Sequence, residues 1–462
     1  MSSSVLSALH EVLGSRGLLA AESVDERYLV DVLGNRGEPP LAVIRPADTR
    51  QVSAALAICH AAGRPVITQG GRTGLALGQL PRAGEIVLST ERMNAIEEID
   101  PDAGTATVQA GVVLQALQEK VEPQGLMFPL DLGGRGSCTI GGNIATNAGG
   151  NRVVRYGMAR ELVLGLEAVL ADGTVLDGLK PLLKNNTGPD LKQLFIGSEG
   201  VLGVVTRAVV RLFPLPADRT VALCAVADFG RVKALLRHAR AGLAGDLTAF
   251  EVMWDSYYDR AVTLLGRAAP IAPGRAYHVL IEACGTEAAA LADKVERMLQ
   301  GALEQEIVAD AVLAKSGAEI AQLWKVRDLA IEASRLLDPI VPFDVSVPIA
   351  RMEAFVAEVQ AATKAVDPRC DLLVFGHLAD GNLHLAVHQP PDRPEAFHAI
   401  EQAVYGVVGR FRGSVSAEHG IGWLKREYLQ HSRSPAEIAV MRTLKTALDP
   451  RNILNPHRIF LP

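Results

Sequence analysis

The sequence is poor in aromatic residues, at 5%, and has 5 cysteines among 462 residues, no long apolar run and no block of one charge sign. Cys59, Cys138, Cys224, Cys284 and Cys370 are odd in number, widely spaced and form no CxxC pair, which speaks against a disulfide framework and predicts a reducing, cytoplasmic setting. No segment approaches the ~20 apolar residues that span a bilayer. The opening MSSSVLSALHEVLGSRG has apolar residues at helical spacing, but no basic region followed by an unbroken apolar stretch, so no export signal is expected. The formal net charge of −6 comes without a basic stripe, which makes nucleic acid an unsuitable partner. What is present is a hydrophobic fraction of 48% with 21% charged residues, the balance of a well-packed globular protein. At ~100–200 residues per domain, the length predicts two to four domains.

Along the chain, LAVIRP, TRQVSAALAICHAAG and RPVITQGG read as strand, helix and strand, the helix starting at Thr49 and burying Val52, Ala55, Leu56 and Cys59. EIVLST, a strand pair turned at Asp100-Pro101-Asp102-Ala103-Gly104, a helix closed by Gly125, and ELVLGLEAVLADGTVLDG, turned at Asp172-Gly173, follow. The Pro214-Leu215-Pro216 step marks a boundary. Beyond it, strands (TVALCAVADF, AYHVLIEAC, DLLVFGH) alternate with alanine-rich helices in an α+β pattern. Three segments are therefore expected: 1–216, 217–425, and a tail 426–462 that returns to the first.

Two glycine-rich loops stand out, Gln69-Gly70-Gly71-Arg72-Thr73-Gly74-Leu75 and Ser137-Cys138-Thr139-Ile140-Gly141-Gly142-Asn143-Ile144-Ala145-Thr146-Asn147-Ala148-Gly149-Gly150. Glycine permits close approach and positive φ, so such loops can turn successive N–H groups onto a pyrophosphate; taken singly, each could equally be a turn. Neither matches GxGxxG between strand and helix, nor GxxxxGK[ST], which points to a cofactor domain that is not a Rossmann fold. PVITQGGRTGL, GSCTIGGNIATNAGG, LKNNTGPDLKQLFIGSEGVLGVVT and the terminal DPRNILNP together resemble the flavin domain of the vanillyl-alcohol oxidase and p-cresol methylhydroxylase superfamily. The fold class implied is α+β: a two-subdomain FAD-binding domain plus an α+β cap domain with an antiparallel sheet. The resemblance implies that Gly70, Gly71, Thr73, Gly74 and Leu75 lie along the pyrophosphate of FAD, with Ser137, Thr139, Gly141, Gly142, Asn143, Thr146 and Gly149 of the second loop. It also places Glu199, Gly200 and Val204 toward the flavin side and Asn455 at its ring edge. Arg72 stands where members with a covalent flavin often carry His, implying noncovalent FAD.

In the second half, His377-Leu378-Ala379-Asp380-Gly381-Asn382-Leu383-His384 reads as a hairpin whose histidines flank the turn. Strands ~4.8 Å apart let two such imidazoles converge, and Glu418-His419 on a glycine-bounded loop supplies a carboxylate and a third imidazole. A lone histidine is more often a packed or carbonyl-bonded residue; the cluster favours a divalent ion with open positions. His388 lacks a flanking motif and is left to surface or core. HLADGNLH with SAEHGIG resembles the C-terminal domain of FAD-linked D-2-hydroxy acid dehydrogenases. That resemblance implies His377, His384 and Glu418 as metal ligands, usually for zinc, His419 as the base, and Arg327 as the partner of a substrate carboxylate. Pro342 and Ala386 stand where the D-2-hydroxyglutarate enzymes typically have Lys and Asn, which moves weight toward a monocarboxylate substrate.

The chemistry expected is oxidation of a D-2-hydroxy acid, D-lactate-like or D-2-hydroxyglutarate-like, to its 2-oxo acid. Electrons would then pass to an acceptor such as electron-transfer flavoprotein or a quinone; a homodimer is left open. The rival readings are a metal-independent oxidase of the same fold and a non-catalytic FAD-binding subunit.

Overall fold

The computed structural model describes residues 2–461, which group into two compact units. In the first unit (1–150, 156–215 and 418–462), the apolar triplet Ala42–Ile44 and the strand Val66–Gln69 both run parallel to Ile86–Ser89, which lies between them. The helix Thr49–Ala61 crosses over with Val52, Ala55, Leu56 and Cys59 buried. Its N-cap is Asp48, whose side chain accepts from Gln51 N–H, so the helix begins one residue past the true cap. Val5, Leu9 and Leu13 of the helix Ser2–Leu13 join the same core.

A second, five-stranded antiparallel sheet in this unit takes the order Ile96–Asp100, Thr105–Gln109, Val204–Arg211, Val163–Val169, Val175–Gly178. Its inner face buries Ala106, Val108, Leu166, Ala168 and Ala208 with Leu114, Leu117 and Ile140 from the helices Leu114–Val121 and Ile140–Ala145. The chain's tail, after the capping-box helix Pro435–Leu448, runs along the first sheet: Val66 N–H donates to Ile453 O and Asn455 N–H to Val66 O.

The second unit (151–155 and 216–417) is built on a seven-stranded antiparallel sheet. Its order is Asp310–Leu313, Asp218–Val226, Tyr277–Gly285, Leu247–Trp254, Leu372–His377, Asn382–His388, Ile340–Ser346. One face packs Leu223, Met253, Leu373, Phe375 and Ala386 against Tyr257, Ala261, Leu323 and Val326 of the helices Asp255–Leu264 and Gly317–Asp328. The return to the first unit falls at Ala417/Glu418, earlier than the 425/426 step read from the sequence. The reason is local: Ile421 and Gly422 donate to the Glu199 carboxylate, and Trp423 and Leu424 to Ala76 O, all of them first-unit contacts.

Candidate functional site: a backbone cradle and an imidazole–carboxylate cluster

In the first unit, the two glycine loops pack on each other. A Cβ on Gly70 would strike Thr139 Oγ1, and one on Gly71 would strike the backbone of Ser137 and Cys138, so glycine is imposed here by loop-to-loop approach. Among the described residues, the N–H groups of Gly71, Arg72, Thr73, Gly74 and Leu75 donate to no protein acceptor. Arg72 holds a positive φ of 59°, the kind of local reversal with which backbone nests present N–H groups to anions. A run of unused donors beside glycine is what a pyrophosphate requires, so these residues fit FAD.

The other residues singled out in this unit serve in different ways. Thr139 caps the helix Ile140–Ala145, accepting from Gly142 N–H at 3.3 Å. Gly141 N–H is already bonded to Ala110 O at 2.7 Å, so Gly141 contributes space and not a donor. Asn143 is buried against Cys138 Sγ, Thr146 Oγ1 donates to Gly142 O, and Val204 opens a central strand. Ser137 and Gly149 lie in the same glycine loop. Glu199, at φ 51°, accepts through its carboxylate from Ile421 and Gly422, both at 2.7 Å; burial pushes this carboxyl upward, and those two N–H groups oppose the rise. Asn455 bridges two segments, donating to Glu199 O at 2.6 Å and accepting from Thr68 N–H at 2.9 Å, and a Cβ on Gly200 would collide with it.

In the second unit, the hairpin forms as the Asp-Gly-Asn signal predicts, with Gly381 at φ 90° after a single 3-10 turn. Because side chains alternate along a strand, His377 lies on the same face as Phe375, and His384 on the same face as Ala386. Their rings sit 5.4 Å apart between centroids. Asp344 pairs with His384 across the edge strand and is wholly buried, its Oδ1 3.9 Å from His384 Nδ1 and its Oδ2 accepting from Ala417 N–H at 3.2 Å. Ser346 and Ser414 exchange backbone bonds, which lays 414–417 alongside that strand.

Glu418 follows Ala417 through one peptide bond. One ligand atom from each of His377, His384 and Glu418 lies within 4.8 Å of the others, and Asp344, Glu418 and His419 satisfy the same criterion. Two imidazoles and a carboxylate, two of the three only partly buried, suit a divalent cation that keeps open positions. His388, by contrast, turns its Nδ1 to Leu337 O at 2.7 Å and is no part of the cluster.

Arg327, at 8% exposure, stands with its guanidinium 4.5 Å over the Phe375 ring, and its Nε donates to Glu251 at 2.8 Å. Burial alone would raise the Glu251 carboxyl, but His377 and Arg327 beside it hold it below its ordinary range. Neither Glu251 nor Asp344 emerged as a site residue from the sequence. The available signal for Glu251 was a single charge in the otherwise apolar run LTAFEVMW.

Residues 215–459 match the family described as FAD linked oxidases, C-terminal domain, and residues 40–178 match an FAD binding domain. The chain is 41% identical to D-2-hydroxyglutarate dehydrogenase, mitochondrial, of Bos taurus, over 98% of its own length and 83% of that protein. It is 42% identical to D-2-hydroxyglutarate dehydrogenase of Xanthomonas citri pv. viticola over 91% of its length and 89% of that protein. It is also 38% identical to a putative mitochondrial D-lactate dehydrogenase of Schizosaccharomyces pombe over 92% and 82%. Among solved structures, p-cresol methylhydroxylase superposes with a TM-score of 0.76 at 17% identity, covering 99% of this chain and 96% of that one, a likeness of fold.

Proposed function

As a member of the FAD-linked oxidase family, the chain is an FAD-dependent oxidoreductase acting on a CH–OH donor, and we propose that its substrate is a D-2-hydroxy acid, oxidised to the 2-oxo acid. The observation that carries this reading is the cluster of His377, His384 and Glu418 within 4.8 Å, with His419 beside it. Such oxidation removes a proton from oxygen and a hydride from carbon. FAD, held noncovalently along the 70–75 loop, supplies the acceptor for the hydride. A divalent cation, zinc by the donor set, would supply positive charge that makes the C2 hydroxyl more acidic. The protein's own groups do the rest. Arg327 binds the substrate carboxylate through its terminal nitrogens, fixing the direction of C2. His419 takes the hydroxyl proton, its ring suited to proton transfer near neutral pH.

Pro342 and Ala386, the two departures from the D-2-hydroxyglutarate pattern, are directly paired in the strand register, with Leu373 beside Ala386. Neither side chain can hold a second carboxylate, which favours a monocarboxylate with a short or apolar side chain. Reoxidation falls to an electron carrier such as electron-transfer flavoprotein or a quinone, and five free, buried cysteines are consistent with a reducing compartment such as the cytoplasm.

The test is anaerobic mixing of the purified flavoprotein with D- and L-2-hydroxy acids while the flavin absorbance is followed. Bleaching by D-lactate-like acids, with D-2-hydroxyglutarate slower, is expected. No bleaching by any member would leave a non-catalytic flavoprotein, and full turnover after complete metal removal would leave a metal-independent oxidase.

A further inference from the structure

Glu251 lies in mid-strand, wholly buried, opposite His377 in the antiparallel register. Its two oxygens serve two different functional groups: Oε1 meets His377 Nδ1 at 2.6 Å and Oε2 accepts from Arg327 Nε at 2.8 Å. We propose that Glu251 is a positioning residue that aligns the cation-binding imidazole and the carboxylate-binding guanidinium through one shared carboxylate. This rests on the assignment of His377 and Arg327 given above.

The argument is one of donors and acceptors. An ionised carboxylate only accepts, so Nδ1 of His377 must carry the hydrogen and Nε2 is left with its lone pair for a cation. The same carboxylate occupies Nε of Arg327, leaving the terminal pair Nη1 and Nη2 as the fork through which an incoming carboxylate can be gripped. The Phe375 ring beneath the guanidinium sets its plane. Glutamine cannot replace this: it offers one acceptor, and its NH2 would confront a donor. Aspartate keeps the charge but is too short to reach both partners from the same Cα. An ordinary buried ion pair needs no such second contact, and the shared carboxylate ties the position of C2 to the position of the cation.

The experiment uses the intact flavoprotein. Zinc affinity is measured by competition with a chelating dye, and oxalate binding to the zinc-saturated protein by the shift it causes in the flavin spectrum. Glu251→Gln and Glu251→Asp are expected to keep FAD content and to lose about 10–100-fold in zinc affinity, the usual cost of removing an outer partner of a metal-bound histidine. The same variants should lose oxalate affinity, whereas Arg327→Lys should lose oxalate affinity alone. Should the Gln variant fail to fold, the Asp variant, which retains the charge beside Arg327, carries the test. Zinc affinity within twofold of the parent in a folded variant would overturn the proposal, leaving Glu251 a partner of Arg327 only; unchanged oxalate binding would overturn it from the other side. A parent protein that binds no zinc would instead defeat the metal reading itself, a result recognisable because it precedes any substitution.

Discussion

The two units bring chemistry to a point by opposite means. In the first, the candidate groups are backbone N–H donors from Gly71 to Leu75, and the side chains matter mainly by being absent. In the second, the candidate groups are side chains, with His377, His384 and Glu251 on paired strands and Arg327 on a helix packed against that sheet. The first site should therefore fail when atoms are added and the second when they are removed.

The largest effect expected is at Gly71. Gly71→Val would drive its side chain into Ser137, and the protein should purify without flavin, read as the ratio of absorbance at the flavin band to that of the protein. Retained yellow colour would break the comparison. Next is His384→Ala, which removes one of three candidate ligands: turnover should fall on the order of 10³-fold, the size of effect a Lewis acid supplies, with FAD content unchanged. Loss of flavin from this variant would show that the two sites are not separable. His419→Asn should slow flavin reduction by about 10²–10⁴-fold at neutral pH with zinc affinity retained, as expected for a lost general base. A parental reduction rate would remove that role. Smaller again is Ala386→Asn, which places an amide on the apolar face and should raise the ratio of D-2-hydroxyglutarate to D-lactate turnover several-fold, since a polar partner is introduced where none stands.

What the sequence discloses follows from the same division. Glycine loops and the HLADGNLH turn are local signals, and the hairpin forms where that turn is read, with Gly381 at positive φ. The helix Thr49–Ala61 starts at the residue read from the sequence, and the hydrogen bond of its cap comes from Asp48 just before it. Glu251 is different in kind. Its strand, Leu247–Trp254, reads as an apolar run, and nothing nearby in sequence says that it will pair with Leu372–His377 more than a hundred residues later. Asp344 is concealed likewise, since it acts through Ala417 on the loop that carries Glu418. The candidate ligands announce themselves because they sit in motifs, while the groups beside them are recruited by topology.

The same sheet offers a contrasting histidine, and with it the mildest test. His377 has Glu251 at its Nδ1; His278, in the strand Tyr277–Gly285, is wholly buried and stacked at 3.4 Å on Tyr258, with no carboxylate bonded to its ring among the described residues. Burial pushes its pKa down from 6.5 to about 4. A depressed histidine binds fewer protons folded than unfolded, so its contribution to stability is complete above pH 6.5 and is lost progressively as pH falls from 6.5 to about 4. At ~1.4 kcal/mol per unit, the loss approaches about 3 kcal/mol at the acid end, and about 2 kcal/mol between pH 7 and pH 4.5. Urea unfolding at those two pH values should therefore show a smaller acid loss in His278→Phe, which keeps an aromatic ring against Tyr258 but cannot take up a proton. Equal losses in parent and variant would mean that the buried imidazole is not what makes this sheet acid-sensitive, and that the carboxylates around the cluster are the more vulnerable end.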